Sequence, residues 1–177
     1  GWSAVSRVGC KLRGMSSTEP SFALRPAEPR DTPELVRLIS ALAQYEKLTN
    51  QLQLTADKLQ AQLFGPRPAA EALVAQEPGG ALIGFALYFT SFSTFLCKPG
   101  LYLEDLFVVP EARRKGVGRA LLTALAQLAV ARDYGRLEWS VLDWNEPALR
   151  FYLGLGASVL PDWRRCRLTG AALARFQ

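Results

Sequence analysis

Residues 101–122 read LYLEDLFVVPEARRKGVGRALL, and this stretch decides the fold. Its first nine residues are mostly apolar or β-branched, as in a strand. A turn with two glycines and four cations follows. The apolar spacing of Val117, Leu121 and Leu125 then predicts a helix over about residues 115–132. The stretch therefore predicts a strand, a basic glycine turn and a helix in direct succession.

The remaining segments predict a mixed α/β (α+β) fold. Helices are predicted to start near Asp31-Thr32-Pro33 and near Thr55. Three strand-like segments precede the basic turn: SFALRPA (21–27), EALVAQ (71–76) and ALIGFALYFTSF (81–92). Two strands, a helix and a terminal turn or helix are predicted after it: RLEWSVLD (136–143), WRRCRLTG (163–170), NEPALRFYLGLG (145–156) and ALARF (172–176). Because hairpins precede the turn, we expect a central mixed, mostly antiparallel sheet flanked by helices.

Length and composition fit one globular domain, which we expect to span residues 21–177 after a flexible leader of residues 1–20. Residues 1–14 hold three cations and no acid and precede the sole methionine, Met15. We expect Met15 to be the start of the chain proper, with a native extension as the alternative. Without residues 1–14 the net charge falls from +5 to +2, which gives no reason to expect a nucleic-acid partner.

Several site types are disfavoured by composition. There is no histidine, which removes His-based triads and His-ligated metals, so we expect no metal. The three cysteines, Cys10, Cys97 and Cys166, lack metal or redox spacing and favour a reducing, cytoplasmic location. No apolar run approaches the roughly 18 residues of a membrane span, so no membrane partner is expected.

The basic turn, Arg113-Arg-Lys-Gly116-Val-Gly118, is suited to a diphosphate. A helix N-terminus presents unpaired N–H groups and a partial positive charge. Glycine lets a phosphate approach the backbone closely. The turn is not a P-loop, because no Gly-Lys-Ser/Thr follows, and hairpins before it argue against a dinucleotide-binding fold. The alternative is a plain strand-to-helix turn with solvated cations.

With these motifs the chain resembles the GCN5-related N-acetyltransferase (GNAT) superfamily, in which Arg/Gln-x-x-Gly-x-Gly/Ala binds the pyrophosphate of acetyl-CoA. The segments YLEDLFVVPEARRKGVGRALL and VLDWNEPALRFYLGLGA, with LISALAQYEKL, resemble the diamine acetyltransferases, which include spermidine/spermine and thialysine N-acetyltransferases. The resemblance covers about residues 21–170. Asp143, directly before Trp144, resembles the thialysine type more than the spermidine/spermine type.

The resemblance implies roles for individual positions. It implies cofactor contacts at Leu106, Phe107, Val108, Arg113, Arg114, Lys115, Gly116, Val117, Gly118, Arg119, Asn145, Glu146, Pro147, Ala148 and Tyr152. It implies substrate contacts at Tyr45, Glu46, Glu104, Glu138, Trp139 and Ser140, with Tyr152 as general acid. It also implies a homodimer and a β-bulge near Phe107 that exposes a backbone N–H to the acetyl oxygen.

The residues themselves fit these roles. Asn145 suits a helix N-cap, and Tyr152 lies about two turns further on the same helix face. A phenol with a pKa of about 10 can protonate a leaving thiolate whose thiol has a pKa of about 8.5. The alternative for Tyr152 is a half-buried structural aromatic.

Four acids could form a negative pocket for a cationic amine: Glu46, Glu104, Asp105 and Asp143. Glu104 and Asp105 interrupt an apolar strand, so one of them faces the core side and needs a partner. Glu104, acting through water, is the candidate general base. The alternative is a set of salt bridges to arginines such as Arg136 or Arg164.

We therefore expect direct acetyl transfer from acetyl-CoA to a primary amine of a small cationic molecule. The alternatives are a protein lysine or N-terminal acetyltransferase, an aminoglycoside-type enzyme, and a non-catalytic acyl-CoA-binding module.

Overall fold

A computed structural model describes residues 21–176, so the expectations for residues 1–20 lie outside the described residues. The chain forms two compact units, the first ending at Ser140 and the second beginning at Val141. The described part of the first unit contains β1 (Ala23–Pro26), α1 (Thr32–Tyr45), α2 (Ala56–Phe64), β2 (Glu71–Gln76), β3 (Leu82–Ser93), β4 (Lys98–Val108), α3 (Val117–Ala131) and β5 (Leu137–Trp139). The second unit contains α4 (Glu146–Leu153) and α5 (Ala171–Ala174).

The strands form one sheet in the order β1-β2-β3-β4-β5. The first three pairings are antiparallel, and only the pairing of β4 with β5 is parallel. Short hairpin connections join β2 to β3 and β3 to β4, whereas α1 and α2 lie between β1 and β2. The predicted mixed, mostly antiparallel sheet is therefore confirmed.

Helices cover both faces of this sheet. Leu35 and Leu38 of α1 are fully buried in a cluster that also contains Phe85 and Phe107 from the sheet. Because side chains alternate along a strand, the intervening residues face the other side. There Arg132, just after α3, makes two hydrogen bonds of 2.7 Å to Glu71 at the start of β2. The sheet is thus packed between α1 and α2 on one face and α3 on the other.

Gly84 in β3 lets the start of α3 approach the sheet. A Cβ at this position would lie 2.9 Å from the backbone oxygen of Phe107 and 3.3 Å from Cγ1 of Val117. Both contacts are tighter than ordinary van der Waals spacing. A glycine inside a strand often marks such a close approach. Gly84 therefore sets how closely β3 approaches β4 and the start of α3.

We expect Gly84→Ala to lower the free energy of unfolding by roughly 1–3 kcal/mol, because the added methyl overpacks the junction of β3, β4 and α3. Urea denaturation measures this change. The matched control is Gly79→Ala, since a Cβ at Gly79 would meet nothing within 4 Å. Equal stability of the two variants would contradict the spacing role of Gly84.

Two strand predictions for the last third of the chain are corrected by the structure. The strand expected over residues 136–143 is only Leu137–Trp139, because its partner β4 stops pairing with it at Leu103. The strand expected over residues 163–170 does not form. That segment is exposed and carries three arginines, and it has no neighbouring strand among the described residues to satisfy its backbone. The predicted terminal turn or helix is α5.

Candidate active site

A bulge in β4 creates the central feature of the candidate site. Leu87 of β3 is opposite Asp105, whereas the next residue, Tyr88, is opposite Leu103, so Glu104 has no partner on β3. The parallel pairing of β4 with β5 also ends at Leu103. An inserted residue bends a strand and increases its twist. Beyond Glu104, β4 therefore has β3 on one side and an edge not covered by β5 on the other.

This open edge carries the backbone groups of Leu106 and Val108. The N–H of Val109 donates to the oxygen of Ile83 at 3.0 Å, which fixes the phase of the ladder between β3 and β4. In an antiparallel pair the backbone N–H and C=O groups of alternate residues bond to the partner strand. Those of Phe107 therefore point toward β3, whereas those of Leu106 and Val108 point away from it. Of the three backbone positions implied by the resemblance, the open edge thus presents the N–H groups of Leu106 and Val108.

The basic turn joins β4 to α3 and has the backbone of an anion-binding turn. Arg114 and Gly116 have positive φ angles of 62° and 83°. The first α-helical bond runs from the Ala120 N–H to the Gly116 oxygen. The N–H groups of residues 114–119 make no hydrogen bond within the described part of the chain. A run of unbonded N–H groups at a helix start fits a diphosphate.

The charge at the start of α3 supports the same interpretation. Three other helices carry an acid in the first turn: Glu34 in α1, Asp57 in α2 and Glu146 in α4. Such acids compensate the positive end of the helix dipole. The first turn of α3 has no acid and is preceded by Arg114 and Lys115, both exposed. Its positive potential is therefore available to an anion.

Arg113 differs from the other cations of the turn. Its Nε donates to the backbone oxygen of Val108 at 3.0 Å. Its guanidinium carbon lies 5.1 Å from the ring centre of Tyr45 and 5.8 Å from that of Phe107. The side chain of Arg113 therefore contacts β4 and the last residue of α1. No local sequence signal indicates this contact, because Tyr45 is distant in the chain.

The structure brings three of the predicted acids together. Burial, followed by the charges of Glu104 and Glu46, raises the pKa of Asp105 to about 6. Burial also raises the pKa of Glu46, which follows α1. No ion pair to Asp105 is found among the described residues, and Arg136 instead lies 2.7 Å from Glu138. A negative cluster without an internal cation is suited to a cationic ligand.

The other predicted substrate positions have varied surroundings. Tyr45 is 40% exposed beside Arg113. Glu138 and Trp139 belong to β5, and Glu138 forms a salt bridge with Arg136. The hydroxyl of Ser140 lies 2.8 Å from that of Tyr102 on β4. Asp143, at the start of the second unit, is exposed.

In the second unit, Asn145 is the predicted N-cap of α4. Its Oδ1 accepts a hydrogen bond from the Ala148 N–H at 3.3 Å, and Glu146 and Pro147 occupy the first turn. Tyr152 lies near the end of the same helix and is partly exposed, with its ring 5.3 Å from that of Phe151. The predicted helix start is therefore confirmed.

The raised pKa of Asp105 makes stability depend on pH. The folded state holds the proton more tightly than the unfolded state, so stability falls as pH rises from the ordinary value of 3.8 to about 6. We expect Asp105→Asn to raise the free energy of unfolding by roughly 1–2 kcal/mol at pH 7 and by little at pH 4. Urea denaturation at both pH values measures this. The exposed control Glu111→Gln should leave the free energy of unfolding unchanged at both pH values. An equal gain at pH 4 and pH 7 for Asp105→Asn would contradict the raised pKa of Asp105.

Residues 21–176 contain no group of three or more His, Cys, Asp or Glu side chains placed to bind a metal. None of their helices is long and apolar enough to cross a membrane. Cys97 and Cys166 are exposed free thiols.

Comparison with known proteins identifies the family. Residues 36–157 match the acetyltransferase (GNAT) family, a span that includes β4, the basic turn, α3 and α4. The chain belongs to this family and is an acyltransferase. The family resemblance carried by the sequence motifs is thereby confirmed.

Named relatives place the chain near diamine acetyltransferases. L-ornithine N5-acetyltransferase from Arabidopsis thaliana is 34% identical, over 85% of this chain and 85% of that protein. Thialysine N-epsilon-acetyltransferase from Bos taurus is 36% identical, over 85% of this chain and 94% of that protein. Among solved structures, an integron cassette protein from the V. cholerae mobile metagenome aligns with a TM-score of 0.74 and 26% identity, covering 88% of this chain and 97% of that one.

Proposed function

We propose that the protein transfers the acetyl group of acetyl-CoA to a primary amine of a small cationic molecule, of the polyamine, thialysine or lysine-like class. The observation that carries the proposal is the order of features along β4. An acid cluster lies at the bulge, an open backbone edge follows it, and the anion-binding turn comes next. Relatives named for L-ornithine and thialysine acetylation support a small diamine-like acceptor.

Acetyl-CoA fits the groups that the first unit offers. The N–H groups of residues 114–119 would hold the diphosphate, with Arg114, Lys115 and Arg119 adding charge. The open edge at Leu106 and Val108 would hold the pantetheine and thioester end. Asn145, Glu146, Pro147 and Ala148 are proposed as a further contact from the family resemblance. When bound, acetyl-CoA supplies an activated acyl group.

The acids would bind the amine and remove its proton. Asp105 and Glu46 attract the cationic acceptor, because their cluster holds no internal cation among the described residues. Glu104 is exposed at the bulge, where water can reach it, and would accept the amine proton through water. The Val108 N–H would polarise the acetyl oxygen. Tyr152 is proposed as the acid that protonates the departing thiolate.

The test is thiol release from acetyl-CoA with thialysine, L-ornithine, spermidine, lysine and a lysine-containing peptide compared side by side. We expect a small cationic amine to give the highest kcat/KM. Preference for the peptide would favour a protein acetyltransferase. Binding of acetyl-CoA without turnover of any amine would favour a non-catalytic acyl-CoA-binding module, and either result overturns the proposal.

We propose a homodimer in a reducing, cytoplasmic location. Phe92 near the end of β3 and Phe95 and Leu96 in the following loop are 59%, 96% and 51% exposed, and exposed apolar patches favour association. The free thiols of Cys97 and Cys166 fit a reducing compartment. Light scattering should give twice the chain mass of 19.5 kDa.

Two further expectations remain part of the proposal. We expect no nucleic-acid partner, because the exposed cations at the turn have a diphosphate as their proposed ligand. We also propose that residues 21–177 act as one acetyltransferase domain, because the family match over residues 36–157 continues past Ser140 into the second unit.

A further inference from the structure

We propose that Arg113 is a positioning residue for acetyl transfer rather than a ligand of the diphosphate. This inference rests on the proposed function, since it assigns a role within that reaction. By charge and by position in the motif, Arg113 would be expected to share the role of Arg114, Lys115 and Arg119. We assign it a different role. This assignment comes from the contacts of its side chain.

The first contact fixes a peptide at the open edge of β4. The peptide between Val108 and Val109 is held at both ends: its oxygen accepts from Nε of Arg113, and its N–H donates to Ile83. Both hydrogen bonds are 3.0 Å. Because β5 ends beside Leu103, Arg113 supplies a bond that a neighbouring strand would otherwise make. Holding this peptide orients the adjacent Val108 N–H, the proposed contact to the acetyl oxygen.

The second contact reaches the acceptor side. The guanidinium of Arg113 lies over Tyr45, the last residue of α1, with 5.1 Å from its central carbon to the ring centre. A guanidinium plane stacks well on an aromatic ring. Glu46 directly follows Tyr45, and its charge contributes to the raised pKa of Asp105. Arg113 thus connects the edge that would hold the acetyl group to the end of α1 that carries an acceptor acid.

The remaining cations of the turn have no such contacts. All four cations of the turn are exposed and none forms a salt bridge within residues 21–176, but among them only Arg113 makes a side-chain hydrogen bond or a ring contact there. Arg113 also differs at the backbone, where its N–H bonds to Pro110 at 3.2 Å, whereas the N–H groups of residues 114–119 have no partner in the described chain. The Nε and the backbone N–H of Arg113 are therefore already engaged in structural hydrogen bonds.

The experiment compares Arg113→Lys and Arg113→Gln with wild type for acetyl-CoA affinity by calorimetry and for steady-state kinetics with the best amine of the panel. We expect kcat/KM for the amine to fall about 30-fold in both variants, while the acetyl-CoA Kd changes less than about 3-fold. Lysine keeps the charge but lacks the planar Nε–H donor, so it should not restore activity. Arg67→Lys, at an exposed arginine in the turn after α2, serves as the unchanged control.

Arg114→Gln provides the contrast, since loss of a phosphate-facing charge should weaken acetyl-CoA binding. The proposal is overturned if Arg113→Lys has wild-type kinetics. It is also overturned if Arg113→Gln weakens acetyl-CoA binding in proportion to its loss of activity. A readout independent of turnover is the NMR spectrum of the free protein. Arg113→Lys should shift the Tyr45 ring and Val109 amide signals, and unshifted signals would overturn the contacts. If wild type turns over no amine, the proposed function fails while this NMR result still decides the contacts of Arg113.

Discussion

Gly118→Asp is expected to weaken acetyl-CoA binding by about 100-fold, or roughly 2.7 kcal/mol, without destabilising the fold. The substitution places a carboxylate in the first turn of α3, beside N–H groups that would otherwise face a diphosphate. Two like charges about 4 Å apart repel by about 4 kcal/mol at the effective dielectric constant of a protein surface. The same carboxylate should stabilise the folded helix by about 0.5 kcal/mol, because it lies near the positive end of the helix dipole. Affinity and stability should therefore change in opposite directions.

Calorimetry with acetyl-CoA and urea denaturation measure the two effects. The matched control is Gln127→Glu, which adds one negative charge to an exposed position further along the same helix. We expect the control to bind acetyl-CoA like wild type. If Gly118→Asp retained affinity within about 3-fold, the start of α3 would not be the diphosphate site.

Tyr152→Phe is expected to lower kcat about 100-fold while the acetyl-CoA Kd changes less than about 3-fold. General acid catalysis contributes factors of this size, and phenylalanine keeps the ring while removing the proton donor. Thiol-release kinetics and calorimetry separate the two quantities. An effect on affinity alone would indicate a binding role for Tyr152.

The control for this substitution is Tyr134→Phe. The hydroxyl of Tyr134 lies 3.3 Å from that of Thr90, in the first unit, so the same atom is removed from a hydrogen-bonded tyrosine outside the candidate site. We expect its kcat to equal that of wild type. Unchanged turnover in Tyr152→Phe as well would remove the general-acid role.

The elements around the basic turn could be predicted from the sequence because their signals are local. Apolar spacing predicts α3, and the glycines predict the turn that precedes it. Asn145 predicts the start of α4 through its own side chain, which bonds to a backbone N–H three residues away. Hairpin signals likewise predict the antiparallel part of the sheet.

Features that depend on pairing between distant segments could not be predicted in the same way. The pattern Glu104-Asp105 indicates a conflict with strand alternation, but only the register with β3 shows that Glu104 is the inserted residue. The contact between Arg113 and Tyr45 joins two segments far apart in the chain. Residues 163–170 have a strand-like composition, yet a strand also requires a neighbour, and among the described residues that segment has none.

The most direct test of the central claim is an NMR titration of ¹⁵N-labelled protein with coenzyme A and, separately, with pantetheine, which lacks the diphosphate. Because the N–H groups of residues 114–119 are unbonded within the described chain, we expect coenzyme A to shift the amide signals of Gly116 and Gly118 at saturation. Pantetheine should leave those two signals in place. Saturating coenzyme A without any shift at Gly116 and Gly118 would contradict the account.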